Sequence, residues 1–182
     1  MNLTETLKSR EQLLDGVLLK VYRDTVALPG GAESVREWID HPGASAVVPL
    51  FDDGTVVLLR QYRYPPQREF LEVPAGKLDK GDEAPEAVAQ RELGEEAGLR
   101  AGRFTSLGQT FPCIGYSNEV IHLFLAEDLS EVEGRLEEDE FVVPVRMPFA
   151  EAVAMARRGE ILDGKSCVAL LLAAAHLDAR AR

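Results

Sequence analysis

From Leu18 to Leu28 the chain alternates apolar and polar residues, LLKVYRDTVAL; Pro29 to Gly31 turns it, and SVREWI returns from Ser34 to Ile39. Period-two alternation around a Pro-Gly turn predicts a β-hairpin with one half-buried face. His41-Pro42-Gly43 then breaks the pattern. Two β-branched runs follow, Ala44 to Phe51 and Thr55 to Tyr64, joined by Asp52-Asp53-Gly54, a tight-turn signal. REFLEVPAG, Arg68 to Gly76, reads as a further strand. Beyond it the pattern turns helical: Asp82 is expected as N-cap, Pro85 is tolerated in the first turn, and Gly98 suits the C-terminal cap. Strands resume in RFTSLGQTF, EVIHLFLAEDL and EFVVPVRM, and two helices close the chain, FAEAVAMARRG from Phe149 and SCVALLLAAAHLDARA from Ser166. Strands on both sides of one central helix predict the α+β class, with α/β/α layers around a mixed sheet. A two-stranded piece is marginal alone. The N-terminal β-hairpin, residues 1–42 taken with its lead-in, is therefore expected to pack on the main body, residues 43–182, or on another subunit.

Composition narrows the classes of partner. The chain has 182 residues, 46% of them apolar and 28% charged, enough for one domain with a real core and a small extension. Its formal net charge is -11, which disfavours nonspecific binding to nucleic acid or to an anionic membrane. A small phosphorylated ligand stays open, because a bound cation or a few arginines can reverse the field at one site. Cys113 and Cys167 fit neither a zinc knuckle nor a CxxC motif and read as reduced thiols of a cytosolic protein. His41, His122 and His176 show no ligand spacing. The first residues are polar and acidic, unlike a signal peptide. The most apolar run, Val168 to Leu177, is half the length a bilayer needs. The expected location is the cytoplasm.

RELGEEAGL, Arg91 to Leu99, crowds Glu92, Glu95 and Glu96 beside an arginine. On a helix these three share an arc of about 100°. Ala89, Leu93 and Ala97 form the adjoining apolar stripe, so the carboxylates lie at the edge of the buried face. Like charges at i, i+4 repel, and acids near a helix C-terminus oppose its dipole. Helix stability therefore does not explain them. The preceding loop lets backbone carbonyls reach the same spot, and carboxylates with a carbonyl suit Mg²⁺ or Mn²⁺.

GKLDKGDEAPEAVAQRELGEEAGL, Gly76 to Leu99, resembles the Nudix box, G-x5-E-x7-R-E-U-x-E-E-x-G-U with U a bulky aliphatic residue. The REL-x-EE-x-GL half matches at every specified position; the front half carries one extra residue. Counting from Gly76, the box acid is Asp82; counting back from Arg91, it is Glu83, the favoured partner because its spacing to Arg91 is intact. The resemblance implies a Nudix fold, a loop–helix turn braced by Gly76, Glu83 and Arg91, and a metal site of Glu92, Glu95, Glu96 and the Ala75 carbonyl. It implies Mg²⁺, with Mn²⁺ as a substitute, and attack of water on phosphorus with Glu95 among the catalytic groups.

Along nearly all of its length the chain is similar to the ADP-ribose and nucleoside-diphosphate-sugar pyrophosphatase branch, through HPGA, RQYR, FLEVPAGK, the box, IGYSNE and EEDEF. By that resemblance Arg63 contacts a substrate phosphate, or is a strand-end surface arginine. Glu119 contacts the ribose or a water near the diphosphate, or is an ordinary loop acid. Glu138 or Glu140 serves as general base or extra ligand. Trp38 stacks on the base with Arg36 beside it, or packs in an interface or the core. The branch forms homodimers through the N-terminal subdomain. The implied reaction splits ADP-ribose, or a related nucleoside diphosphate sugar, into AMP and ribose 5-phosphate or their counterparts. Dinucleoside polyphosphates, NADH and capped RNA ends are the alternative substrates. A binding module that has lost catalysis predicts broken box glutamates, and all three are intact. DKGDE lacks the spacing of an EF-hand loop.

Overall fold

In the computed structural model, which describes residues 2–79, 81, 83–134 and 141–182, three antiparallel strands open the chain. They are β1 (Thr6–Asp15), β2 (Lys20–Ala27) and β3 (Glu33–Asp40), in the order β1-β2-β3. The expected hairpin is β2 and β3, paired from Lys20–Asp40 to Ala27–Glu33. β1 is an additional strand. Its register on β2 shifts between Leu7 and Ser9 and again between Gln12 and Leu14. Two irregularities in ten residues scramble the alternation by which a strand is read from sequence. Segment Phe111–Val120 belongs to this same unit with Met1–Gly43. The Ile39 N–H donates to the Tyr116 carbonyl (2.8 Å), and Asn118 bridges from the His41 N–H (2.8 Å) to Asp40 (2.7 Å).

The second unit, Ala44–Thr110 with Ile121–Arg182, is built on two sheets. One holds β10 (Val142–Pro148), β5 (Thr55–Arg63) and β6 (Arg68–Glu72), all antiparallel. The other has the order β7 (Ala75–Lys77), β4 (Ala44–Pro49), β9 (Ile121–Glu131) and β8 (Leu99–Thr110). It is mixed, because β4 runs parallel to β9 and antiparallel to β7. Every residue of β4 is buried, as expected of a strand covered on both faces. Alternate residues feed two apolar clusters. Ala46, Val48, Val56, Leu58, Leu123 and Leu125 pack with helices α2 (Phe149–Arg157) and α3 (Gly164–Arg180). Val47, Val57, Leu59 and Phe124 pack with Ala89 and Leu93 of α1 (Pro85–Ala97). This is the α+β fold in α/β/α layers that the sequence predicts.

Three local details correct the sequence reading. REFLEVPAG is two strands in two sheets, because Val73-Pro74 interrupts it: the Val73 N–H donates to Ser166 Oγ (2.8 Å) and the Pro74 carbonyl accepts from the Val47 N–H (2.9 Å). Helix α1 begins at Pro85 with Ala84 in the cap position and no side-chain cap. Asp82, expected there, lies outside the described residues. Proline at the first helical position, with φ already set and no N–H to satisfy, starts the helix without such a cap. Helix α3 starts two residues early because Asp163 caps it, accepting from the Ser166 N–H (3.0 Å). Gly98 ends α1 with φ 65°, the left-handed conformation that favours glycine. No helix among the described residues is long and apolar enough to cross a membrane.

Candidate active site

The buried face of α1 consists of Val88, Ala89, Glu92, Leu93 and Glu96, so two of the box glutamates lie on the same side as the apolar residues. Glu92 and Glu96 are only 7% and 8% exposed. β7 runs against them. A Cβ on Gly76 would stand 1.8 Å from Glu92 Oε1, so that carboxylate occupies the space that any other residue at position 76 would fill. The Ala75 N–H donates to Glu96 Oε2 (2.9 Å). Ser45, fully buried on β4, donates to the Pro85 carbonyl (2.7 Å) and fixes the start of the helix. β7 thus holds Glu92 and Glu96, and the central strand anchors the start of the helix that carries them.

Arg91 lies among these acids. Its Nη1 donates to Glu92 Oε1 (2.7 Å) and Glu95 Oε2 (2.8 Å), whereas its Nε reaches Glu83 Oε2 only at 3.4 Å. Burial works against the Arg91 charge, but Glu92 and Glu95 outweigh it and its pKa is raised. Nη2 is buried and finds no hydrogen-bond partner among the described residues. Desolvated carboxylates this close together need positive charge nearby, and here a guanidinium supplies part of it.

The donor chemistry suits a hard divalent cation: carboxylate oxygens from successive turns of one helix, backed by a glycine that leaves room for them. In the observed arrangement no group of three or more His, Cys, Asp or Glu side chains among the described residues is set to hold a metal ion. Arg91 instead pairs with two of the acids. A cation would be held by Glu92, Glu95 and Glu96 once the carboxylates turn from these partners.

A second charged cluster lies in the same unit, and sequence reading missed most of it. Glu72, at the end of β6, is 3% exposed. Arg63 grips both its oxygens, Nε to Oε1 and Nη2 to Oε2, each at 2.7 Å. Lys165 of α3 also donates to Glu72 Oε2 and, at 2.9 Å, to Asp163. Burial pushes the Glu72 carboxyl up, but Arg63 and Lys165 outweigh it and hold its pKa below the usual carboxylate value. Glu72 and Asp163 in turn raise the Arg63 pKa, and Glu96 contributes to the same field. The signals available in sequence were the glutamate in FLEVPAGK and the capping aspartate in DGKS.

In the N-terminal unit Trp38 and Arg36 are engaged within their own sheet. Trp38 Nε1 donates to Asp24 (3.0 Å), and its ring lies 5.3 Å from that of Tyr22, with the Arg10 guanidinium 4.8 Å away. Arg36 forms a fork on Glu5 (2.9 and 2.5 Å) and also donates to Ser34 Oγ. The Glu119 carboxylate stands 3.7 Å from His41 Nδ1, which already accepts from the Gly43 N–H (3.1 Å). Glu138 and Glu140 lie outside the described residues.

Comparison with known proteins places these features in a family. The NUDIX domain family model matches residues 40–166. The chain is 39% identical over 171 residues to an ADP-ribose pyrophosphatase of Bacillus subtilis (strain 168), covering 93% of this chain and 92% of that protein. It is 38% identical over 168 residues to a methanol dehydrogenase activator of Bacillus methanolicus, covering 91% and 90%. A crystal structure of an ADP compounds hydrolase superposes with TM-score 0.86 over 99% of this chain and 98% of its own, at 24% identity, which speaks for the fold.

Proposed function

Because the chain belongs to the NUDIX family, we propose that it is a divalent-metal-dependent pyrophosphatase that hydrolyses the phosphoric anhydride of nucleoside diphosphate sugars, with ADP-ribose as substrate and AMP and ribose 5-phosphate as products. The observation that supports this reading is the turn of α1 on which Glu92 lies against Gly76, Glu96 accepts from the Ala75 N–H and Glu95 pairs with Arg91. Enzymes of this family generally require a divalent cation; we assign Mg²⁺ here, with Mn²⁺ as a substitute. When bound, it neutralises the diphosphate and lowers the pKa of a water molecule.

The protein's own residues do the rest. Glu92, Glu95, Glu96 and the Ala75 carbonyl are the metal-holding set. Gly76, Glu83 and Arg91 keep loop and helix in register. Arg63 takes a phosphate of the substrate, a role for which a planar fork of N–H donors is suited. A carboxylate, Glu138 or Glu140, accepts the proton of the attacking water as the P–O bond to the leaving phosphate breaks. Arg36, Trp38 and Glu119 are the substrate-binding candidates of the N-terminal unit.

The subdomain of residues 1–42 serves dimerisation, with the domain of residues 43–182 carrying the chemistry. Supporting a second copy of this chain as its partner are the exposed apolar side chains of the unit, among them Leu7, Leu14, Leu18 and Val35. The low cysteine content and acidic charge suit a cytoplasmic enzyme.

The test is a product assay with Mg²⁺ and, separately, ADP-ribose, other nucleoside diphosphate sugars, diadenosine polyphosphates and NADH. AMP and ribose 5-phosphate are expected from ADP-ribose, with turnover lowered roughly 10²–10³-fold in Glu96→Gln. Hydrolysis of diadenosine polyphosphates or NADH alone would overturn the substrate assignment.

A further inference from the structure

We propose that Lys165 is a positioning residue for phosphate binding: it keeps Glu72 neutralised so that Arg63 can leave Glu72 and take up the substrate's diphosphate. The inference rests on the pyrophosphatase reading above and adds a residue that the Nudix box does not contain.

The cluster contains two carboxylates, Glu72 and Asp163, and two cations, Arg63 and Lys165. The cations are not equivalent. The Arg63 side chain is 44% exposed, whereas that of Lys165 is 13% exposed. Lys165 is also fixed from behind. Asp163 accepts from it, caps α3 and accepts from Ser166 Oγ (2.5 Å), and Ser166 Oγ in turn accepts from the Val73 N–H next to Glu72. Lys165 is therefore tied to the scaffold, and Arg63 is the cation with access to solvent.

A carboxylate as buried as Glu72 cannot give up a sole cation, because a bare buried charge costs several kcal/mol. With two cations the exposed one can change partner while the other stays. Side-chain chemistry fits this division. A guanidinium forks onto a phosphate as it forks onto a carboxylate, whereas an ammonium is a compact point charge suited to a fixed neutralising role.

The experiment is calorimetric titration of ADP into four proteins: wild type, Lys165→Met, Glu72→Gln and the double variant. Lys165→Met is expected to weaken ADP about tenfold, because Arg63 becomes the only cation on Glu72 and is retained there. In the Glu72→Gln background the same change is expected to matter less than about twofold, since a neutral glutamine needs no counter-cation. Lys165→Arg, which keeps the charge, is expected to restore most of the affinity. With ADP-ribose, Lys165→Met should raise KM and leave kcat largely intact. Unchanged ADP affinity in Lys165→Met, or an equal loss in both backgrounds, would overturn the proposal in favour of a purely structural clamp between β6 and α3. If Lys165→Met does not fold, Lys165→Gln takes its place in both backgrounds and decides by the same comparison. Wild-type protein that binds ADP but leaves ADP-ribose intact defeats the substrate reading, and the four affinities still decide the role of Lys165. Wild-type protein that does not bind ADP overturns the role as well.

Discussion

Asp24 in the N-terminal unit and Glu72 in the larger unit are both buried carboxylates, 7% and 3% exposed, yet they are neutralised in different ways. Among the described residues Asp24 has a single cation, Arg10, held by two hydrogen bonds of 2.8 Å, and Trp38 Nε1 donates to it as well. The Arg10 guanidinium is itself packed over Trp38 and Tyr22. Arg10 can reach water, its side chain being 43% exposed, but Asp24 cannot release it without being left a bare buried charge. Glu72 has two cations, one anchored and one half-exposed. The first arrangement suits a part that holds its shape, the second a part that exchanges partners. Arg10 and Arg63 are equally exposed, at 43% and 44%, so burial and exposure do not by themselves distinguish a structural pair from a functional one; the number of counterions does.

The sharpest way to separate the two regions is Gly76→Ala. The added methyl group would stand 1.8 Å from Glu92 Oε1, so the Glu92 side chain must leave its place or β7 must shift from α1. Turnover of ADP-ribose is expected to fall about 10²-fold. Because Trp38 is the only tryptophan and belongs to the N-terminal unit, its emission should stay as in wild type. A shift in emission would break the separation.

A smaller effect is expected from Asp24→Ala. Arg10 can rehydrate, because its side chain is 43% exposed, but Trp38 loses its acceptor. Tm should fall modestly and the Trp38 emission should change. ADP affinity should change far less than in Lys165→Met. Equal losses of ADP affinity would mean that the two clusters act as one.

The smallest expected effect is an acid titration of Trp38 emission. The hydrogen bonds from Arg10, opposed by burial and aided by Trp38, hold the Asp24 pKa below its ordinary value. A carboxyl with a depressed folded-state pKa contributes stability above its unfolded pKa of about 3.9 and loses it as pH falls through the folded value. The emission change should therefore be centred below pH ~3.9 and vanish in Asp24→Asn. A midpoint above that pH would show that Arg10 is not the dominant partner.

What sequence could reveal here depended on how far apart the interacting residues lie. Glu92, Glu95 and Glu96 are one helical turn, so their shared face follows from spacing alone. The Gly76 contact with Glu92 spans a strand, a loop and most of a helix, and it was not foreseen: the resemblance to the box set Gly76 with Glu83 and Arg91. Glu72 and Lys165 are 93 residues apart, brought together by the packing of α3 on β6, and no local pattern announces that. Strand β1 was hidden for a different reason: its register shifts twice, so no run of alternation survives. The pairing of Arg91 drew attention to Glu83, yet its shorter contacts are to Glu92 and Glu95, the neighbours on its own helix.

The N-terminal unit is discontinuous: its last piece, Phe111–Val120, lies roughly 70 residues downstream of Gly43. On a ribosome elongating at about 5–20 residues per second, β3 waits on the order of 3–14 s for the segment that bonds to its end. During that interval Ile39 and His41 lack their partners Tyr116 and Asn118. The N-terminal unit is therefore complete only after Val120 has been made, by which point the first segment of the larger unit, Ala44–Thr110, has already been synthesised.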